Sequence, residues 1–302
     1  MSPTLPLEHP KLIGQGGFAD VYRGGHPKGR AVLKLALESP RSGRDLTNGV
    51  FFAGGVERYT GSVGAWPVEP SEVLRAESAQ LEQLEGHPAF PRPLERVEVD
   101  GRAGLVMSEL PGETWRTALY GKHALRVGHL GALCEVLLEV QDRLPLHGDL
   151  KPDNLILDGN RVHVLDPSSG LTSRSAGGRL ERMLTTQLYN PGLEDSDVPS
   201  LGLLLAEILC RHHILLESHA DRPARLLTPE LEQWLAGANA VGTSRWSSRY
   251  ANLVLPSELE THVPADLEAL ALSCLGLKWD GERLDRTEPP SLSELAQALP
   301  RP

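Results

Sequence analysis

Residues 146–157, Leu-His-Gly-Asp-Leu-Lys-Pro-Asp-Asn-Leu-Ile-Leu, set three different side-chain chemistries at fixed spacing and run straight into a strand pattern. Asp149 offers a carboxylate suited to accept a hydroxyl proton. Lys151, two residues on, is a point positive charge, and Asn154, five on, has an amide oxygen suited to a hard cation. The apolar run Leu155-Ile156-Leu157, then Asp158-Gly159-Asn160, then Val162-His163-Val164-Leu165 predicts a β-hairpin with its turn at 158–160. Asp166 follows the second strand, 17 residues after Asp149, where a second carboxylate is fit to bind Mg²⁺ bridging nucleotide phosphates. A loop for phosphoryl transfer, mounted on a hairpin that holds the next acid, is what the stretch describes.

The loop resembles the catalytic loop of protein kinases, with His147-Gly148-Asp149 in the place of His-Arg-Asp and Asp166-Pro167-Ser168 in the place of Asp-Phe-Gly. Upstream, residues 12–23 place Gly14, Gly16 and Gly17 between two strand-forming stretches, where a backbone without Cβ atoms can lie close over phosphates. The pattern is similar to the kinase Gly-rich loop, with Ala19 at the third glycine and Val21 as the residue that packs on adenine. Arg30-Ala31-Val32-Leu33-Lys34-Leu35 resembles Val-Ala-Ile-Lys, which assigns Lys34 to the α- and β-phosphates.

Residues 71–85 carry Leu74, Leu81 and Leu84 on one helical face behind Ser71 as N-cap, and this segment resembles the αC helix. Glu77, which precedes Gly86-His87-Pro88 by nine to eleven residues, is the glutamate the resemblance assigns to pair with Lys34, in preference to Glu72. Asp100-Gly101 signals a hairpin joining strands 94–99 and 103–109. Beyond it, Met107 to Thr114 resembles the link between lobes, with Met107 as gatekeeper and Glu109 to Leu110 offering backbone groups to adenine. Helical periodicity over 123–144 leads into the catalytic loop, and Asp197-Val-Pro-Ser-Leu-Gly resembles the central helix of the large lobe, with Asp197 bonding the catalytic-loop backbone. Helices near 264–277 and 291–299 close the chain, and Arg283 or Arg286 stands where the family often keeps an arginine; residues 212–260 match nothing firmly.

The resemblance spans nearly the whole chain and implies an α+β, bilobal protein kinase-like fold. A small, mainly antiparallel β lobe with one αC helix occupies 1–109, and a larger, mainly helical lobe occupies 110–302. It implies ATP and Mg²⁺ as cofactors, Asn154 and Asp166 as metal ligands, Asp149 and Lys151 at the transferred group, and a protein serine or threonine as acceptor, a choice favoured by Lys151 and Thr186. The runner-up is a small-molecule kinase of the aminoglycoside or choline type, which shares His-Gly-Asp, and the third possibility is a pseudokinase scaffold.

The chain also departs from the family. Glu77 follows Lys34 by 43 positions, about twice the usual interval, so that about 38–70, with Phe51, Phe52, Tyr59 and Trp66, is an insertion, either a lid or docking element beside the cleft or an ordered Ω-loop. Gly148 replaces the arginine that binds a phosphorylated activation loop, Pro167 replaces the switching Phe, and Gly192 stands where the Ala-Pro-Glu glutamate belongs. Activity without prior phosphorylation is therefore expected.

Composition sets the remaining limits. With 30 Lys plus Arg against 40 Asp plus Glu the net charge is -10, which disfavours nucleic acid as a bulk electrostatic partner. Cys134, Cys210 and Cys274 lie far apart in apolar segments without zinc spacing and read as buried free thiols. No apolar run approaches about 18 residues and no signal peptide is visible, so no membrane partner and a cytoplasmic location are expected.

Overall fold

The structure, a computed structural model, describes residues 5–16, 18–38, 48–52, 55–59, 69–121, 125–167, 172–174, 180–182, 189, 196–215, 225–239, 250 and 253–301. The chain begins with three antiparallel strands, β1 (Glu8–Gln15), β2 (Ala19–His26) and β3 (Gly29–Ala36). In β3 the two-residue period puts Ala31, Leu33 and Leu35 on one buried face, with Leu7, Val99 and Val106, and leaves Val32 and Lys34 for the other. Of the segment 38–70 most lies outside the described residues; β4 (Asn48–Phe52) and β5 (Gly55–Tyr59) pair antiparallel within it.

Helix α1 (Pro70–Gln83) follows. Its N-cap is Glu69 rather than the expected Ser71, because Pro70 supplies a pre-set φ and has no N–H to leave unpaired in the first turn. Leu74 and Leu81, with Leu84 just past the last turn, are buried as expected, and Glu77 is buried with them. Strands β6 (Pro93–Val99) and β7 (Arg102–Ser108), joined at Asp100-Gly101, complete an antiparallel five-stranded sheet of order β1-β2-β3-β7-β6.

From there the chain is mainly helical. Strand β8 (Glu113–Thr114) leads to the short helix α2 (Trp115–Tyr120), capped by the Thr114 hydroxyl, and then to α3 (Val127–Val140), which is shorter at both ends than the 123–144 expected. Strands β9 (Leu155–Asp158) and β10 (Arg161–Val164) form the predicted hairpin, its loop reduced to Gly159-Asn160 by the pairing of Arg161 with Asp158. Strands β11 (Thr172–Arg174) and β12 (Leu180–Arg182) pair antiparallel; Thr186 and Gly192, both named above, lie outside the described residues.

Helix α4 (Val198–Cys210) is buried on nearly every side, as its Leu-rich sequence demands. It packs against a later helix so closely that a Cβ on Gly202 would meet Cys274 Cβ at 2.5 Å and the Ala271 carbonyl at 2.8 Å. Strand β13 (Leu226–Leu227), α5 (Pro229–Asn239) and α6 (Pro256–Leu259) fall in the stretch whose sequence suggested no element. Helix α7 (Ala265–Cys274) and, last, α8 (Leu292–Ala298) lie near their expected places; β14 (Leu277–Trp279) and β15 (Arg283–Arg286) between them pair with each other and with β13. Arg286 stacks on Trp234 with 5.1 Å from its guanidinium carbon to the ring centroid.

One large core joins α1, the inner face of β7, α3, β9, β10, α4 and α7, and the three cysteines are free and buried within it. Among the described residues no helix is long and apolar enough to cross a membrane.

Candidate functional site

Pairing across the sheet brings Gly14, Val21 and Lys34 side by side on three neighbouring strands: Val21 is the partner of Gly14 on one side and of Lys34 on the other. The turn between β1 and β2 is closed by the Gly16 amide, which donates to the Ala19 carbonyl at 2.8 Å, while Gly17 lies outside the described residues. Lys34 Nζ donates to Glu77 Oε1 at 2.6 Å and also to Asp166 Oδ1, so three residues far apart in sequence meet at one ammonium. Glu77 was preferred over Glu72 on spacing, and it is the acid that meets Lys34.

Charge governs this trio. Burial works against the Lys34 ammonium, but Asp166 and Glu77 outweigh it and raise its pKa. Burial pushes the Glu77 carboxyl up to about 7 in spite of Lys34. Asp166 is 43 % exposed toward solvent; its partial burial pushes upward, and the Lys34 ammonium, helped by Lys151, holds it low. Asp166 also has φ +57, a left-handed conformation uncommon outside glycine and a strain characteristic of sites whose geometry is over-determined by their surroundings.

The second half of the site is the turn before β9. Lys151 Nζ donates to Asp149 Oδ2 at 2.7 Å, and Asn154 Nδ2 donates to the Asp149 carbonyl at 2.9 Å and to Asp149 Oδ2 at 3.1 Å. Burial opposes the Lys151 charge and Asp149 more than restores it, so its pKa is raised. A single 3₁₀ turn, Pro152–Asn154, sets Asn154 in place. Its carbonyl accepts from the Leu165 amide at 2.8 Å, which ties the turn to the residue before Asp166. From the other side Asp197, at the start of α4, accepts the amides of His147 at 2.6 Å and Gly148 at 2.8 Å, the backbone role its sequence position suggested. Gly148 needs the absence of a Cβ, since its φ is +83. His147 Nε2 completes the frame at 2.7 Å from the Leu165 carbonyl.

Glu109 has one of its two backbone groups engaged within the sheet. The β3–β7 ladder continues one step past the Ala31–Ser108 pair, so the Glu109 amide donates to the Arg30 carbonyl at 3.1 Å. Its carboxylate turns away to Arg23 at 2.8 Å and Arg30 at 2.7 Å. The backbone groups expected of Glu109 for a ligand are thereby narrowed to its carbonyl.

The donors suit a hard cation. Among the described residues no group of three or more His, Cys, Asp or Glu side chains is gathered to hold an ion. Asp166 and Asn154 offer hard oxygens, which fits a Mg²⁺ that completes its shell with phosphate and water rather than with an all-protein cage.

Sequence reasoning passed over a second polar cluster behind this turn: Arg116, Asp153, Tyr189 and Glu207. The visible signal was an arginine inside the otherwise apolar helix Trp115–Tyr120 and a glutamate inside the Leu-rich α4, both buried. No family model matches the chain, and no curated protein matches it in sequence.

Proposed function

We propose that the chain is a protein kinase-like phosphotransferase that moves the γ-phosphoryl group of MgATP to a serine or threonine hydroxyl of a protein. The observation that carries the proposal is the meeting of Lys34, Glu77 and Asp166 at one ammonium, beside a turn in which Lys151 and Asn154 both bond Asp149. A buried ion pair is a poor source of stability, because desolvation offsets its attraction, so its presence argues for a positional task. On this proposal the chain divides near Glu109 into a nucleotide-covering lobe and a larger lobe bearing the transfer loop.

Lys34, oriented by Glu77, binds the α- and β-phosphates of the nucleotide. Asp166 and Asn154 would hold Mg²⁺, which supplies neutralisation of the phosphate charge when bound. Asp149 accepts the proton of the acceptor hydroxyl as its oxygen bonds to the γ-phosphorus; the bond to the β-γ bridging oxygen breaks, and ADP leaves with that oxygen. Lys151, within hydrogen-bonding distance of Asp149, stabilises the charge on the transferred group.

The test is transfer of labelled γ-phosphate from MgATP by the purified protein to a generic protein acceptor, beside Asp166→Ala. Metal-dependent label on Ser or Thr that vanishes in Asp166→Ala supports the proposal. Nucleotide binding with label only on small molecules would replace the acceptor class, and absence of nucleotide binding would overturn the activity altogether. With Gly148 in place of an arginine, prior phosphatase treatment should leave the rate unchanged.

A further inference from the structure

The cluster behind the transfer turn has a defined geometry. The Arg116 guanidinium, whose side chain is only 10 % exposed, donates Nη2 to Asp153 Oδ2 at 2.6 Å and Nε to both Asp153 oxygens at 3.2 Å. Its Nη1 reaches the Tyr189 hydroxyl at 3.5 Å, and that hydroxyl donates to Glu207 Oε1 at 2.7 Å. Tyr189 and Glu207 are buried, Glu207 completely.

Asp153 is the middle residue of the 3₁₀ turn that ends at Asn154. A planar guanidinium that grips a carboxylate through several donors fixes orientation as well as distance. Arg116 is itself rigidly mounted, because α2 starts from the Thr114 cap and is anchored by Trp115, which is fully buried.

Resting on the phosphoryl-transfer proposal above, we propose that Arg116 is a positioning residue for it: through Asp153 it fixes the turn that aims Asn154 at the metal and at Asp149. The cluster from Tyr189 and Glu207 steadies Arg116 from behind. Neither Arg116 nor Asp153 is among the side chains described as bonded to Lys34 or Asp149, so Arg116 acts through the turn, while Asp153 both shapes the turn and lends its charge to Lys151.

Arg116→Gln alone strands the Glu207 carboxylate without its cation and invites misfolding. The variants are therefore Asp153→Asn, which alters a half-exposed side chain, and the pair Arg116→Gln with Glu207→Gln, compared with Glu207→Gln alone. Two readouts are taken: the Mg²⁺ concentration for half-maximal transfer, and deuterium uptake over residues 147–157. Loss of a group that orients a metal ligand is expected to raise the Mg²⁺ requirement about tenfold in each variant, with KM for ATP little changed. Uptake over 147–157 should accelerate in both, and combining Asp153→Asn with the pair should add nothing further, because the variants break one link. Unchanged uptake over 147–157, or effects that add in full, would overturn the inference. If wild-type protein transfers no phosphoryl group, the activity proposal fails, while the exchange readout still decides whether Arg116 fixes the turn.

Discussion

At the scale of single residues, the proposed transfer divides its labour between groups that hold and a group that would take a proton. Lys34 is engaged by carboxylates 43 and 132 residues away in sequence, whereas Asp149 is bonded by Lys151 and Asn154 of its own turn. Asp149→Asn preserves the shape and the acceptor oxygen but not the base. Turnover should fall about 10²–10⁴-fold with KM for ATP almost unchanged, as expected when a group acts only in the transition state. Equal losses in turnover and nucleotide affinity would move Asp149 into the binding machinery. Gly148 makes a separate prediction. At φ +83 any Cβ is strained, so Gly148→Ala should lower unfolding stability by about 1–2 kcal/mol, measured as a shift in denaturant midpoint at constant slope.

At the scale of elements, α4 connects the two polar clusters: Asp197 at its start holds the turn, and Glu207 in its last turns faces Tyr189. Burial pushes the Glu207 carboxyl from its ordinary 4.5 up to about 7. Because the folded protein binds this proton more tightly than the unfolded chain, the stabilisation is complete below about pH 4.5 and is lost as pH rises through 7. The loss amounts to about 3 kcal/mol by linkage, and Glu207→Gln should remove that share of the slope in denaturation measured from pH 4 to 8. Glu77 titrates in the same window and direction, so a residual slope should survive.

Elements with a strong local signature were legible in the sequence. The hairpin around Gly159, the hairpin at Asp100-Gly101 and the long amphipathic α3 follow from turn chemistry and periodicity, and Asp197 was placed by its neighbours. Strand β13 is two residues long and pairs in parallel with β15, 57 positions on, so no local pattern announces it. Arg116 and Asp153 escaped for a similar reason: they stand 37 positions apart, and each alone looks like an ordinary charged side chain. That the Glu109 amide bonds the Arg30 carbonyl was not legible in the sequence, because register, which decides whether a strand's last N–H is used, is set by tertiary pairing.

At the scale of the whole molecule, the sheet's two faces belong to different cores. Ala31, Leu33 and Leu35 pack with Leu7, Val99 and Val106 in a small cluster of their own, while Leu105 and Met107 join α1 and the helical region in the large one. Beside that shared core one polar link is Lys34, bonded both to Glu77 of α1 and to Asp166 after β10. A nucleotide gripped by Lys34 on one side and by Asp166 and Asn154 on the other would tie the sheet to the helical region more firmly than the apolar contacts do alone. Binding to the folded state alone then stabilises the whole chain by mass action, about 2.7 kcal/mol at a hundredfold excess over Kd. For a chain of 302 residues that is a rise in Tm of roughly 4 °C. MgATP should produce this shift in wild-type protein, ATP without metal should produce less, and Asp166→Ala should make the two nucleotide conditions equal. Lys34→Met should abolish both shifts. If Lys34→Met responds to MgATP as fully as the wild type, the nucleotide is held elsewhere, and the Lys34–Glu77–Asp166 bridge is a tie between sheet and helices without a ligand.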